Sequence, residues 1–235
     1  MSGLLAVYAK EMRHYFRSPI AYFVVAVFLV GTGYFFNYNI FVTGVATMDE
    51  TFQNMGLLLV VLTPVIAMRL FSSEYENGTM ELLSTLPLRP WQVVLGKYLG
   101  ATSLLLLMML GTMVDLVPLY LFGFPETRMI IAGYLGFLLL GMACLAVGQL
   151  FSSLTSNQIV AALLTVSVLL GFWFIGNLQA FQSSQLLHGV FRYLSFSGQF
   201  AEFIRGLIRI EAVGFFSMVC AIALVMNASY LDWRR

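Results

Sequence analysis

Charge is scarce in this sequence: 12 Lys and Arg with 11 Asp and Glu make up 10% of its 235 residues. No basic tract interleaved with aromatics is present, so no nucleic-acid partner is expected. Histidine and cysteine each occur twice, as His14 and His188 and as Cys144 and Cys220. The two histidines fall on opposite sides of the topology derived below and cannot share a metal. The cysteines lie inside apolar runs, where thiols pack as small apolar groups and say nothing about redox compartment. H-E-x-x-H, G-x-S-x-G and C-x-x-C are all absent. So is G-x-x-x-x-G-K-[ST], since Gly96-Lys97 lacks the earlier glycine and the following hydroxyl residue. No catalytic set, metal site or directly bound cofactor is expected, and any ATP must be held by another chain.

What fills the chain instead is apolar: 60% hydrophobic residues and a mean hydropathy of +0.89. A bilayer core about 30 Å thick needs roughly 20 apolar residues per spanning helix. Six runs approach or meet that length: Ile20 to Val42, Gln53 to Phe71, Tyr98 to Phe122, Met129 to Phe151, Ile159 to Phe181 and Ala212 to Leu231. Lone strands in lipid would leave their backbone groups unpaired, so an all-α polytopic membrane protein forming one domain over residues 1–235 is expected. The second run is interrupted by Pro64 and Arg69. The first is preceded by a long amphipathic segment and reads as a retained helix rather than a leader.

Lysines and arginines set the orientation. Lys10, Arg13 and Arg17 precede the first run, Arg69, Arg89 and Lys97 flank the second connection, and Arg234 and Arg235 follow the last. The loop from Thr43 to Phe52 carries only Asp49 and Glu50. Both termini are therefore expected to be cytoplasmic. Arg192, Arg205 and Arg209 dissent, and reach headgroups on the outer side in this topology.

Three segments outside the runs have helical periodicity. Leu5, Tyr8, Met12, Tyr15 and Phe16 form a stripe, with Lys10, Glu11, Arg13, His14 and Arg17 on other faces, so an elbow helix along the cytoplasmic surface is expected, ending at Ser18-Pro19. It is either an anchor or a contact for a soluble partner. In the connection from Ser72 to Val93, Glu74, Glu76 and Glu81 cluster ahead of a stripe of Thr79, Leu82, Leu83 and Leu86. A helix starting at Asn77, Gly78 or Thr79 and ended by Pro87 and Pro90 is expected. It either transmits force or caps the bundle. On the outer side, Leu186, Leu187, Val190, Phe191 and Leu194 form one stripe. Phe200, Phe203, Ile204, Leu207 and Ile208 form another, with Arg205 off it. These are expected in the outer interface, as a cover or as an exit gate with Phe200, Phe203 and Arg205 as its candidates.

Polar residues within the runs are few. Asp115, near Pro118, either faces the interior or reaches headgroups. With Asn37 and Asn177 it makes the candidate set for a translocation path; the asparagines equally suit hydrogen bonds between helices. Gly133, Gly136 and Gly141 permit close helix packing.

The run from Glu74 through Asn77-Gly78-Thr79-Met80-Glu81-Leu82-Leu83, followed by Pro87 and Gly96-Lys97-Tyr98, resembles the coupling segment of type-2 ABC exporter permeases. The opening KEMRHYFRSPIAYFVVAVFLVGTGYFF and the stretch YLSFSGQFAEFIRGLI are similar to small six-span permeases of the gliding-motility and copper-enzyme-maturation branch. The resemblance implies that Glu74, Glu76, Gly78, Thr79, Glu81, Leu82, Leu83 and Pro87 dock on a cytoplasmic ABC ATPase present in two copies, which binds ATP and Mg. It also implies a second permease subunit, identical or related, in a bacterial-type inner membrane. The chain departs from drug and polysaccharide exporters in having no proline between Gln182 and Glu211. That leaves two outcomes open, export of a cargo or movement of an extracytoplasmic partner. The alternative is a scaffold that anchors such a partner without transport.

Overall fold

The computed structural model describes residues 3–43, 48–80, 88–122, 125–176, 191 and 193–233. Among them, all regular structure is helical. The elements are α1 (Gly3–Arg17), α2 (Pro19–Thr43), α3 (Asp49–Ala67), α4 (Ser72–Glu76), α5 (Pro90–Thr112), a 3-10 turn (Met113–Asp115), α6 (Leu116–Phe122), α7 (Thr127–Leu154), α8 (Gln158–Phe174), α9 (Phe196–Ile204) and α10 (Ile210–Trp233).

Among the described residues, five helical stretches are long and apolar enough to cross a membrane, and α8 is a shorter apolar helix of 17 residues. The protein is an all-α polytopic membrane protein. Large apolar side chains such as Phe23, Val30 and Phe41 on α2 and Met218 and Val225 on α10 point outward. Such broad exposed apolar faces belong against lipid rather than water.

Several boundaries differ from hydropathy alone, each for a local reason. The second span begins at Asp49 rather than Gln53, because Asp49 and Glu50 occupy the first turn of α3 and suit its positive dipole end. Regular helix stops at Ala67 within that span, which continues past Phe71, and a serine of α7 captures the backbone that follows. The third span starts at Pro90. Proline there occupies the first helical position, where its missing N–H is no loss, and Gln92 Oε1 accepts from the Arg89 N–H at 3.1 Å. Pro90 thus opens a helix; the one it is expected to end, with Pro87, lies outside the described residues. Farther along, Pro118 can neither donate to the Val114 carbonyl nor avoid it, and the chain tightens into the 3-10 turn that carries Asp115.

The central post is α7, which packs against α3, α5, α8, α9 and α10. Its predicted packing glycines are where neighbours press in. A Cβ on Gly133 would lie 2.5 Å from the Phe52 ring, one on Gly136 2.5 Å from Phe203, and one on Gly141 2.6 Å from Leu105. Buried hydroxyls such as Thr63 and Thr165 donate to carbonyls one turn back in their own helices, so they need no partner across the bundle.

Opposite ends of the bundle are closed differently. At one end, α9 sinks its Phe196, Phe200, Phe203 and Ile204 face among α3, α7, α8 and α10. Phe196 stacks on Phe172 at 5.2 Å between ring centroids and meets Phe215 and Phe216 edge-on at 5.7 Å. Ser195 caps α9 by accepting from the Gly198 N–H, and Gln53 of α3 donates to Ser197. At the other end, α1 lies against the start of α5.

Candidate functional site

The α1 end is built on two glycines of α5. A Cβ on Gly96 would sit 2.8 Å from the Val7 side chain and 3.2 Å from the Leu4 carbonyl, and one on Gly100 would sit 2.8 Å from Glu11 Cβ. Only glycine lets α1 come this close. Contact at this distance sets Val7, Glu11 and Tyr15, one helical turn apart, into the protein, while Leu5 and Phe16 of the predicted apolar stripe stay exposed. The buried face of α1 therefore carries a carboxylate that periodicity had assigned elsewhere.

Glu11 meets Lys97, which lies between the two glycines. Lys97 Nζ is 2.8 Å from Glu11 Oε1 and 3.1 Å from Glu74 Oε1, and its side chain is only 2% exposed. It also sits 5.2 Å from the centroid of the Phe71 ring. Lys10, 57% exposed, closes the cluster with a 2.6 Å contact to Glu74 Oε1. Burial would lower the Lys10 pKa, but the hydrogen bond and charge of Glu74 outweigh it and hold the ammonium above its ordinary range. Two ammonium and two carboxylate groups thus join α1, α4 and α5. Desolvating such charges is costly, so removing one leaves the others strongly destabilising.

A second set of bonds fixes α4 to α7 and α8. Ser152 Oγ accepts from the backbone N–H groups of Phe71 and Ser72 at 3.0 and 3.1 Å and lies 2.8 Å from the Met68 carbonyl, to which it donates. Ser72 Oγ donates back to the Ser152 carbonyl at 2.9 Å. One hydroxyl thereby satisfies backbone groups left over where α3 ends and α4 begins. Gln149, one turn earlier on α7, donates to the Val94 carbonyl of α5 at 2.9 Å. Glu76 accepts from Gln158 at the start of α8. The chain then leaves α4 through Gly78, whose φ of +68° turns it sharply; helix resumes at Thr79 and Met80.

The residues singled out from the sequence fall into three groups. Glu74 is buried and faces inward onto the lysines, whereas Glu76, Gly78 and Thr79 are exposed. Glu81, Leu82, Leu83, Pro87 and Asn177 lie outside the described residues. Asn37 is exposed and donates to the Gly33 carbonyl of its own helix at 2.7 Å, and Asp115 is half-buried. Of the gate candidates, Phe200 and Phe203 are fully buried and Arg205 is exposed.

Sequence reasoning passed over Glu11, Lys97 as a buried partner, and Ser152. The signals were present: Glu11 is in register with Val7 and Tyr15, and Lys97 stands between glycines one helical turn apart. Nothing comparable marked Ser152, whose role depends on a chain reversal far from it in sequence.

Together, the apolar bundle and the family described next define an integral membrane protein whose α1 end carries a buried polar bracket. The chain belongs to the ABC-2 family transporter proteins, whose family model matches residues 37–226. It is therefore a membrane permease component of an ABC transporter and not the ATPase, and an ATPase partner follows from that membership. The match runs from α2 into α10 and leaves α1 outside it. A comparison with curated proteins returns no match.

Proposed function

We propose that this permease converts ATP hydrolysis by a separate ABC ATPase into movement of its helices, for export of a substrate or displacement of an envelope partner. The observation that carries the proposal is the buried Lys97 cluster, which ties α4 to α1 and α5. Residues 78–87 form the docking surface in this reading. Their exposed beginning, Gly78 and Thr79, follows directly on α4, which is held by Ser152, Gln158, Lys10 and Lys97. A push on that surface cannot be absorbed by α4 alone, because four other helices are bonded to it. It shifts the ends of α1, α5, α7 and α8 together.

The working unit in this proposal is two permease chains, identical or related, with two ATPase subunits that hold ATP and Mg. Both termini are cytoplasmic, in a bacterial-type inner membrane, as the distribution of Lys10, Arg13, Arg17 and Lys97 supports. The resemblance of the opening and late segments to the gliding-motility and copper-enzyme-maturation branch supports a small two-subunit permease of this kind. Co-purification from the native membrane tests the reading. An ATPase should accompany the wild-type protein, and Glu81→Arg should abolish stimulation of its hydrolysis. Failure to recruit any ATPase, with Glu81→Arg silent, would leave the scaffold alternative standing instead.

A further inference from the structure

Helix α1 keeps step with α5. Gly3 lies against Gln92, Val7 against Gly96 and Glu11 against Gly100, so the two helices run side by side in the same direction with a constant offset. Lys10, Arg13, His14 and Arg17 of α1 are exposed. Exposed cations do not sit in hydrocarbon, so α1 and the part of α5 beside it stand outside the bilayer core. Length agrees, because the helical stretch Pro90–Leu121 has 32 residues, about 48 Å at about 1.5 Å per residue, against a core of about 30 Å. The elbow expected flat along the surface instead rises beside α5.

Both ends of the docking surface assigned above meet α1. At its entry, Asn77 and Thr79 share the walls of a crevice of about 220 Å³ with Lys10 and His14. At its exit, Leu88 packs against Gly3. A partner seated on residues 78–87 therefore comes up against α1 as well.

What α1 offers there is charge of one sign. Ala6, Lys10, Arg13 and Arg17 recur at helical spacing along one exposed edge, and Arg89 is exposed next to Leu88. Arg13, Arg17 and Arg89 have no ion-pair partner among the described residues. The carboxylates of α1 and α4 are engaged: Glu11 and Glu74 hold Lys97, Glu74 also holds Lys10, and Glu76 accepts from Gln158. Lipid headgroups are the rival company for such cations. Arg17, beside the bend into the first span, lies at their level, whereas the edge from Ala6 to Arg13 is carried outward with the start of α5. The apolar side of α1 is elsewhere: Met12 and Phe16 border a groove with Tyr22, Leu106 and Leu107, about a third of a turn around the helix from Lys10 and Arg13.

We propose that the basic edge of α1, together with Arg89, is a second contact for the ATPase and receives an acidic segment of that subunit. This inference rests on the coupling reading above and adds the partner's chemistry to it. The family model does not reach α1, so the contact lies outside what that match covers and suits selection of one ATPase among several. Complementary charge at a rim mainly speeds encounter and rejects mismatched partners, while the docking surface itself carries the stroke.

The test places the full-length permease in nanodiscs of phosphatidylcholine, adds its co-purified ATPase, and follows the association rate at about 0.03 M and about 0.3 M salt. The rate should fall at least about tenfold as salt rises. Arg13→Glu/Arg89→Glu should slow association at least about tenfold at low salt and flatten its salt dependence, whereas Arg13→Lys/Arg89→Lys should keep both. With saturating ATPase, the double-glutamate variant should still stimulate hydrolysis as wild type does, which also shows that it folds. A photoactivatable phenylalanine analogue at Ala6 should crosslink to an ATPase peptide rich in Asp and Glu. An ATPase that binds and is stimulated normally, yet meets the double-glutamate variant at the wild-type rate, overturns this inference and leaves coupling intact. So does a slowed rate confined to nanodiscs of anionic lipid, or an Ala6 crosslink to lipid alone. Coupling is read separately, from Glu81→Arg.

Discussion

The two ends of this bundle solve the same problem with opposite chemistry. At the α9 end, rings of Phe196, Phe200, Phe203 and Phe216 fill the space, and α9 is held mainly by their packing, with one hydrogen bond from Gln53 to Ser197. At the α1 end, Lys97 is pinned by Glu11 and Glu74, and Ser152 stitches the backbone. Aromatic packing is short-ranged and tolerates small slides, because no bond direction is fixed. A buried ion cluster is directional and costly to break, so its members move together or not at all. Under the proposed function, that difference gives the α1 end the task of transmitting displacement and leaves the α9 end free to yield to it.

Breaking each end separately sharpens the comparison. Lys97→Met leaves Glu11 buried without its partner and should cost about 3–5 kcal/mol; Phe200→Ala opens a cavity of comparable cost, about 3–5 kcal/mol. Denaturant unfolding in detergent should therefore find the two variants similarly weakened. Their ATPase complexes should differ: stimulated hydrolysis falls with Lys97→Met and survives, at reduced protein yield, with Phe200→Ala. Equal losses in the two would erase the distinction between the ends.

Ser152→Ala should come next, at about 1–3 kcal/mol, since it orphans the Phe71 and Ser72 N–H groups. Hydrogen exchange localises the effect: protection should drop at residues 71–76 and stay unchanged in α9. The smallest effect belongs to Asn157→Ala. Asn157 Oδ1 accepts from the Ile159 N–H at 2.9 Å and caps α8, so its loss should lower stability by about 1 kcal/mol, read as a small shift of the unfolding midpoint.

Hydropathy made the spans legible because lipid demands length and apolarity from each helix by itself, a property of local sequence. It did not reveal where the regular helix of α3 stops, since Ser152 bonds the chain there from about eighty positions away, a pairing hydropathy does not carry. The aromatic face of α9 was legible as a stripe, and what it covers was not. Glu74 stood out as part of an acidic cluster. That it turns inward while Glu76 stays exposed depends on Lys97 being brought up by α5 and on two glycines that let α1 in. Long-range pairing of this kind leaves only faint marks, a glutamate on a buried register and a lysine between glycines.

Transmission from the α1 end to the α9 end is most directly measured with a native reporter. The chain has three tryptophans, and Trp173 packs on Phe200 at 6.4 Å while Trp91 and Trp233 are exposed far more. In a Trp91→Phe/Trp233→Phe background, reconstituted with the ATPase, adding ATP should change Trp173 fluorescence. Introducing Lys97→Met should abolish that change while the ATPase stays bound. A Trp173 response that persists at full amplitude without Lys97 would contradict the claim that the buried ion cluster carries the stroke.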